Sequence, residues 1–267
     1  MSFIELSRPA PGITQVTLNR PEALNTFNHP LVTELTEVLD TISADRECRV
    51  LVLTGAGRAF SAGLDLNGYG DQEITQQEGV VVRQLNRQRE IAGLAQRLHE
   101  LPQPVIAAVN GPAAGGGLAL VCASDIRIAA PSAVFAVSFI RAGFSACDIG
   151  VSWLLPRIVG AGRAHELMLT GRRFDAVEAA LIGLVTDVVE PENLLDAALA
   201  KAQEIMLNPP LSVELTKQGM WIALETPAFD TSVEFENRQQ IFTSFTTDRA
   251  EAAAAFLEKR PPVYRRH

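Results

Sequence analysis

Two short runs of unbroken apolar residues, Val50-Leu51-Val52-Leu53 and Val105-Ile106-Ala107-Ala108-Val109, each pass straight into a glycine-containing loop. Runs of that length followed by turn signals read as buried strands. The loops are Thr54-Gly55-Ala56-Gly57-Arg58-Ala59-Phe60-Ser61-Ala62-Gly63-Leu64-Asp65-Leu66 and Asn110-Gly111-Pro112-Ala113-Ala114-Gly115-Gly116-Gly117-Leu118-Ala119-Leu120. Glycine lacks a Cβ, so its N–H can face a ligand unobstructed, and an N–H at a helix N-terminus is biased toward negative charge. The pair could form an oxyanion hole. The plainer reading is tight packing, and strand, glycine-rich turn and helix also describe nucleotide sites. The nucleotide fingerprints are missing, however: the segment from Gly55 to Phe60 lacks a third glycine and no P-loop Gly-Lys-Ser/Thr occurs. Neither a GxSxG elbow nor an HExxH pair is present.

Around these loops strand and helix signals alternate. Ile13 to Leu18 alternates apolar and polar residues and ends at Asn19-Arg20-Pro21, a strand running into a turn. Leu31, Leu35, Val38, Leu39 and Ile42 recur at helical spacing behind Asn28 and Pro30, which suit a helix start. Residues 71–79 are polar and predict a mobile loop; a helix follows, with Leu85, Ile91, Leu94 and Leu98 on one stripe. Ile126-Arg127-Ile128 and Val134 to Val137 read as two more strands, and a helix is expected from about Asp148 to Val159. Asp175 with Glu178, and Asp248 with Glu251, have capping-box spacing. Helices dominate after Gly171, and the last one is ended by Lys259-Arg260-Pro261-Pro262. The pattern predicts an α/β core with an appended helical region.

Bulk properties exclude several classes. With 267 residues, 47% hydrophobic and 20% charged, the chain can bury a large core and is not disordered. Lys plus Arg number 23 against 31 Asp plus Glu, a net charge of -8, which argues against nucleic acid as a partner. Cys48, Cys122 and Cys147 are an odd set without CxxC spacing, so reduced thiols and a cytoplasmic location are expected. The N-terminus shows no secretory pattern, and the most apolar stretch, residues 104–122, is broken by Asn110, Gly111, Pro112 and three glycines, so no membrane span is expected.

Five segments, in order and spacing, resemble the crotonase superfamily, the enoyl-CoA hydratase and isomerase family. They are Asn19-Arg20-Pro21-Glu22-Ala23-Leu24-Asn25, the run from Gly57 to Leu66, the run from Asn110 to Gly117, Gly171-Arg172-Arg173-Phe174-Asp175-Ala176 through Val185, and Phe256-Leu257-Glu258-Lys259-Arg260-Pro261-Pro262. The resemblance implies an α/β fold, a crotonase-like spiral of β-β-α repeats with a C-terminal helical region. It divides the chain into a core with the acyl-CoA site, residues 1–190, and a helical region, residues 191–267, in contacts of a homotrimer or dimer of trimers. It implies an acyl-CoA substrate, with CoA entering as part of the thioester and no separate cofactor; His165-Glu166 lacks the second histidine of a metal motif, so no metal is expected. The oxyanion donors implied are the N–H groups of Leu64 and Gly116. Ala23, Leu24, Arg58, Ala62, Gly63, Asp65, Leu66, Gly115 and Lys259 are the implied CoA-binding set. Removing a proton beside a thioester carbonyl puts negative charge on the oxygen, and losing one preorganised donor typically costs ~3 kcal/mol of barrier.

Two departures from that family matter. Its hydratases use two glutamates, and the corresponding positions here fall on Ala119 and at or near Phe139, neither of which titrates. The remaining carboxylate in a suggestive place is Asp148, within Gly143-Phe144-Ser145-Ala146-Cys147-Asp148-Ile149-Gly150. Dienoyl-CoA isomerases and the chlorobenzoyl-CoA dehalogenase of the superfamily keep a functional aspartate in a similar loop. Two readings of Asp148 stand open, acid/base catalyst and cap of the following helix. The expected function is an acyl-CoA enzyme of the hydratase/isomerase type; the alternatives are a non-catalytic acyl-CoA binding protein and a hydrolase or dehalogenase using Asp148. Glu73 and Glu78, in the polar loop, are secondary acid/base candidates.

Overall fold

The computed structural model describes residues 2–70 and 79–266. The polar segment expected to be mobile, with Glu73 and Glu78, lies outside the described residues except for Gly79.

A six-stranded sheet carries the core. Its strands are β1 (Ile4–Ala10), β2 (Ile13–Leu18), β3 (Val50–Gly55), β4 (Val105–Val109), β6 (Ile126–Ala129) and β9 (Asp187–Val188), adjacent in that order. The β1–β2 pair is antiparallel and the others are parallel, with Val16 opposite Leu53, Leu53 opposite Ala107 and Ala108 opposite Ile128. A smaller sheet joins β5 (Ala113–Ala114), β7 (Val134–Ala136) and β8 (Arg173–Asp175). The helices between strands are α1 (His29–Ala44), α2 (Val80–Glu100), α3 (Gly116–Ala123), α4 (Val151–Val159), α5 (Ala161–Thr170) and α6 (Ala176–Leu181). The chain finishes in α7 (Leu194–Met206), α8 (Pro210–Glu225), α9 (Phe229–Ser244) and α10 (Thr247–Glu258).

The unbroken apolar runs follow from burial on both faces. Side chains alternate along a strand, so Leu51, Leu53, Val105, Ala107 and Val109 enter one cluster with Leu35, Leu94 and Leu118 of α1, α2 and α3. Val50, Val52, Ile106 and Ala108 face the other way, onto Leu194, Ala198 and Ala202 of α7. The first helix after residue 190 is therefore the second layer over the sheet. Further along, α8 is tied down by Lys217, whose buried ammonium meets Asp125 Oδ2 at 2.8 Å and the carbonyls of Gln103 at 3.0 Å and Leu98 at 3.3 Å. Among the described residues no helix is long and apolar enough to cross a membrane.

Caps test the local reading. Asn28 accepts from Leu31 N–H at 3.1 Å and Asp175 from Glu178 N–H at 2.8 Å, as their spacing predicts. Asp248 does not cap α10. Thr246 does, accepting from Arg249 N–H at 3.1 Å, while the Asp248 carboxylate takes the N–H groups of Arg265 and Arg266 at 2.7 and 2.9 Å and straps the C-terminal tail to the helix. The helix expected from Asp148 starts at Val151, with Gly150 in the left-handed region (φ 78°) as its N-cap. Strand β1 carries no pattern that announces it: of its seven residues only Ile4 is buried, and an edge strand is held by backbone pairing instead.

Candidate active site

The first glycine loop is shaped from beneath by Asn25. This residue is fully buried in the left-handed region (φ 54°), a conformation asparagine tolerates better than most side chains. Its Nδ2 donates to the carbonyls of Ala56, Ala59 and Phe60 at 2.9, 2.8 and 3.2 Å, and its Oδ1 accepts from Arg20 N–H at 2.8 Å. Its own carbonyl accepts from Ser61 Oγ at 2.8 Å. Arg20 closes the base of the loop by donating to Asp65 Oδ2 at 2.6 Å. Burial pushes the Asp65 carboxyl up, but the hydrogen bonds from Arg20 and the Asn67 N–H outweigh it and hold it below its ordinary value. Replacing Asn25 with leucine strands several buried carbonyls at once. We expect a melting temperature lower by roughly 6–12 °C, from ~3 kcal/mol lost; a drop of a degree or less in a thermal melt would remove this role.

The two glycine loops are joined edge to edge. The N–H groups of Phe60 and Ser61 both reach the Pro112 carbonyl at 3.1 Å, and Ala114 N–H reaches Ser61 O at 3.0 Å. Gly63 adopts φ 87°, and a Cβ there would lie 2.7 Å from Ala114 O and 3.0 Å from Gly116 N. Such contact leaves room for glycine alone. Gly63 O accepts from Phe27 N–H at 2.7 Å and Asp65 N–H donates to Phe27 O at 3.0 Å, so the Leu64 N–H between them faces away from Phe27. Gly116 opens α3, and a helix's first N–H has no acceptor one turn back. Two N–H donors, on Leu64 and Gly116, are thus left without an acceptor among the described residues.

Leu64 lines a cavity of about 330 Å³. Its apolar wall includes Leu66, Ile91, Phe139 and Phe144, and its polar side groups are Gln88, Ser138, Arg141 and Asp148. Asp148 is half-buried. Burial raises its carboxyl above the usual carboxylate range, with the Ile149 N–H and Gln88 pulling the other way. The Asp148 side chain bonds Ile149 N–H at 2.8 Å and Gln88 Nε2, and no N–H of α4. It is not that helix's cap. The backbone beside it is strained, because Ile149, a β-branched residue, holds φ 46°. The two positions where hydratase glutamates were sought are apolar: Ala119 is 0% exposed inside α3, and Phe139, 9% exposed, packs beside Gly115.

Residues 9–267 match the profile of the enoyl-CoA hydratase/isomerase family. The chain belongs to this family. It is 40% identical to the 1,2-epoxyphenylacetyl-CoA isomerase of Escherichia coli K12 over 99% of this chain and 98% of that protein. It is 41% identical to the probable enoyl-CoA hydratase EchA12 of Mycobacterium tuberculosis H37Rv, over 99% of this chain and 93% of that one. The fold is shared with a crystal structure of an enoyl-CoA hydratase from Bacillus anthracis, with a TM-score of 0.92 and 34% identity over 99% of this chain and all of that one.

Within this enoyl-CoA hydratase/isomerase chain, the residues proposed from sequence fall into three groups. Ala62, Leu64, Leu66, Gly115 and Asp148 line one cavity, and Gly63 and Gly116 lie directly against them. Ala23 and Leu24 stand behind the wall, with Leu24 O accepting from Ala62 N–H at 3.0 Å. Arg58 is exposed, Lys259 ends α10, and Asp65 is committed to Arg20; none of the three is on the cavity wall. Gln88, Ser138 and Arg141 were missed. Gln88 had a signal, since it interrupts the apolar stripe of α2 three residues before Ile91. Among the described residues no group of three or more His, Cys, Asp or Glu side chains could hold a metal ion.

Proposed function

We propose that this chain isomerises a carbon–carbon double bond in an enoyl-CoA thioester, with Asp148 as the single proton carrier and the Leu64 and Gly116 N–H groups as the oxyanion hole. The observation that carries this is that, among the described residues, the cavity presents one carboxylate, Asp148, on a wall shared with Leu64, beside two N–H donors without acceptors. Asp148 takes a proton from the carbon beside the thioester carbonyl, and the C–H electron pair moves onto the carbonyl oxygen. Two donors aimed at that oxygen stabilise the charge where it develops. The proton then returns from Asp148 to the far end of the conjugated system, so the double bond has moved and nothing is gained or lost. Hydration needs a group to activate water and another to protonate carbon, and Ala119 and Phe139 supply neither. The E. coli relative is named an isomerase of a different CoA thioester, 1,2-epoxyphenylacetyl-CoA, which supports isomerisation as the class of reaction only. Binding without chemistry and nucleophilic hydrolysis are not favoured, as the relatives carry the names of hydratases and isomerases. Incubation with a 3-enoyl-CoA should yield the 2-enoyl isomer on chromatography; accumulation of 3-hydroxyacyl-CoA as the main product would overturn the assignment.

Assembly is part of the same proposal. Helix α9 has no buried residue, and Phe229 and Phe242 of α9, Phe245 just past its end, and Phe256 and Leu257 of α10 are largely exposed, with Phe245 at 86%. Apolar area on that scale favours coverage by other copies, in a trimer or a dimer of trimers. Sedimentation at micromolar concentration should show one of those species, and a monomer would remove the claim. The three cysteines are unpaired, which favours a reducing compartment such as the cytoplasm.

A further inference from the structure

Among the described residues, Asp148 is gripped on one oxygen. Its Oδ1 accepts from the Ile149 N–H at 2.8 Å and from Gln88 Nε2, while Oδ2 takes no hydrogen bond from the described residues. The two anchors come from different parts of the fold. Ile149 belongs to the loop before α4, strained at φ 46°, and Gln88 stands on α2, sixty residues before Asp148 in the chain. Gln88 and Ile91, three residues apart on α2, both line the cavity, and the Gln88 amide meets the loop there through Asp148. An amide nitrogen can only donate, and an ionised carboxylate accepts such a bond better than a protonated one.

We propose that Gln88 is a positioning residue: its amide, with the Ile149 N–H, fixes Asp148 Oδ1, keeps the carboxylate ready to accept a proton, and leaves Oδ2 to exchange it with the substrate. This rests on the reading of Asp148 as the proton carrier. Gln88 moves no proton itself. The other charged and titratable groups nearby are otherwise engaged or set apart. Arg141, on the same cavity wall, reaches toward the Thr170 carbonyl at 3.4 Å, and Cys147 precedes Asp148 in the loop with its N–H on Ser145 Oγ. On α2, Arg87 lies over the Tyr69 ring and Glu90 meets His29 Nδ1 and Tyr69 Oη, each at 3.0 Å. No ion pair between any of these and Asp148 exists among the described residues.

The test compares Gln88→Leu, Gln88→Lys and Asp148→Asn with the wild type. Gln88 is exposed on its helix, and leucine and lysine are good helix formers, so both variants should fold; a thermal melt checks this. Gln88→Leu removes the donor, and we expect kcat to fall on the order of tenfold and the acid limb of kcat/KM to move to higher pH. Gln88→Lys offers a charged donor, and the limb should move to lower pH. Affinity for a saturated acyl-CoA, which cannot isomerise, should change less than about twofold in both. A limb that stays in place in both variants, or moves the same way in both, overturns the proposal for Gln88 while leaving Asp148 standing if Asp148→Asn is inactive. An active Asp148→Asn overturns the reading of Asp148 and this proposal with it.

Discussion

Replacing Asp148 with asparagine is expected to lower turnover ~100- to 10,000-fold while acyl-CoA affinity and melting temperature stay close to wild type. Asparagine keeps the shape of the side chain and an oxygen to accept from the Ile149 N–H, but it cannot carry a proton. A structural role predicts the opposite pattern, with any loss appearing in stability. The cap explanation has no geometry behind it, because Gly150 occupies the N-cap of α4. The pH dependence follows from the same group. Catalysis needs the ionised carboxylate, so kcat/KM should fall as pH drops through the Asp148 pKa, and burial places that limb above the range of an ordinary carboxylate. An unchanged rate with an unchanged melting temperature would retire Asp148 and turn the search to Glu73 and Glu78.

Gly63→Ala should be the other large loss. A methyl group at this position would sit 2.7 Å from Ala114 O and 3.0 Å from Gly116 N, so one of the two glycine loops must move. If the N–H groups of Leu64 and Gly116 form the proposed oxyanion hole, that shift breaks their common target. Losing one such donor typically costs ~100- to 1,000-fold in kcat. Alanine at φ 87° adds a left-handed penalty of ~1–2 kcal/mol, for a fall of a few degrees in melting temperature. The acid limb of the pH profile should stay in place, since Asp148 is untouched. That separates this variant from those at Gln88. Rates within a few-fold of wild type would mean that the two N–H groups do not stabilise the transition state.

Much of this architecture is legible from local pattern. Strands β3 and β4 can be read because burial on both faces leaves no polar residue in Val50 to Leu53 or Val105 to Val109, and the two glycine loops follow from what comes after them. Asn28 and Asp175 cap their helices as their spacing predicts. The rest depends on contacts that spacing does not encode. An Asp three residues before a Glu looks the same whether its carboxylate caps a helix or, like Asp248, catches a tail seventeen residues on. Strand β1 exists through backbone pairing with β2, which no side-chain alternation records. Asn25 is visible only as part of a resemblance, and its hold on three carbonyls of the loop 31 to 35 residues ahead appears once the chain is folded. Gln88 meets Asp148 only because α2 docks beside the loop before α4.

The most direct test of the central claim is uptake of deuterium at the α-carbon when the protein is incubated with an enoyl-CoA in heavy water. Because Asp148 can exchange the proton it holds with solvent before returning it, a single carboxylate working against an oxyanion hole predicts deuterium at the far end of the conjugated system on the forward step and at the α-carbon on reversal, a shifted double bond and little hydroxyacyl product, with uptake largely abolished in Asp148→Asn. Tight binding of the thioester without any exchange, or exchange that survives the loss of Asp148, would contradict it.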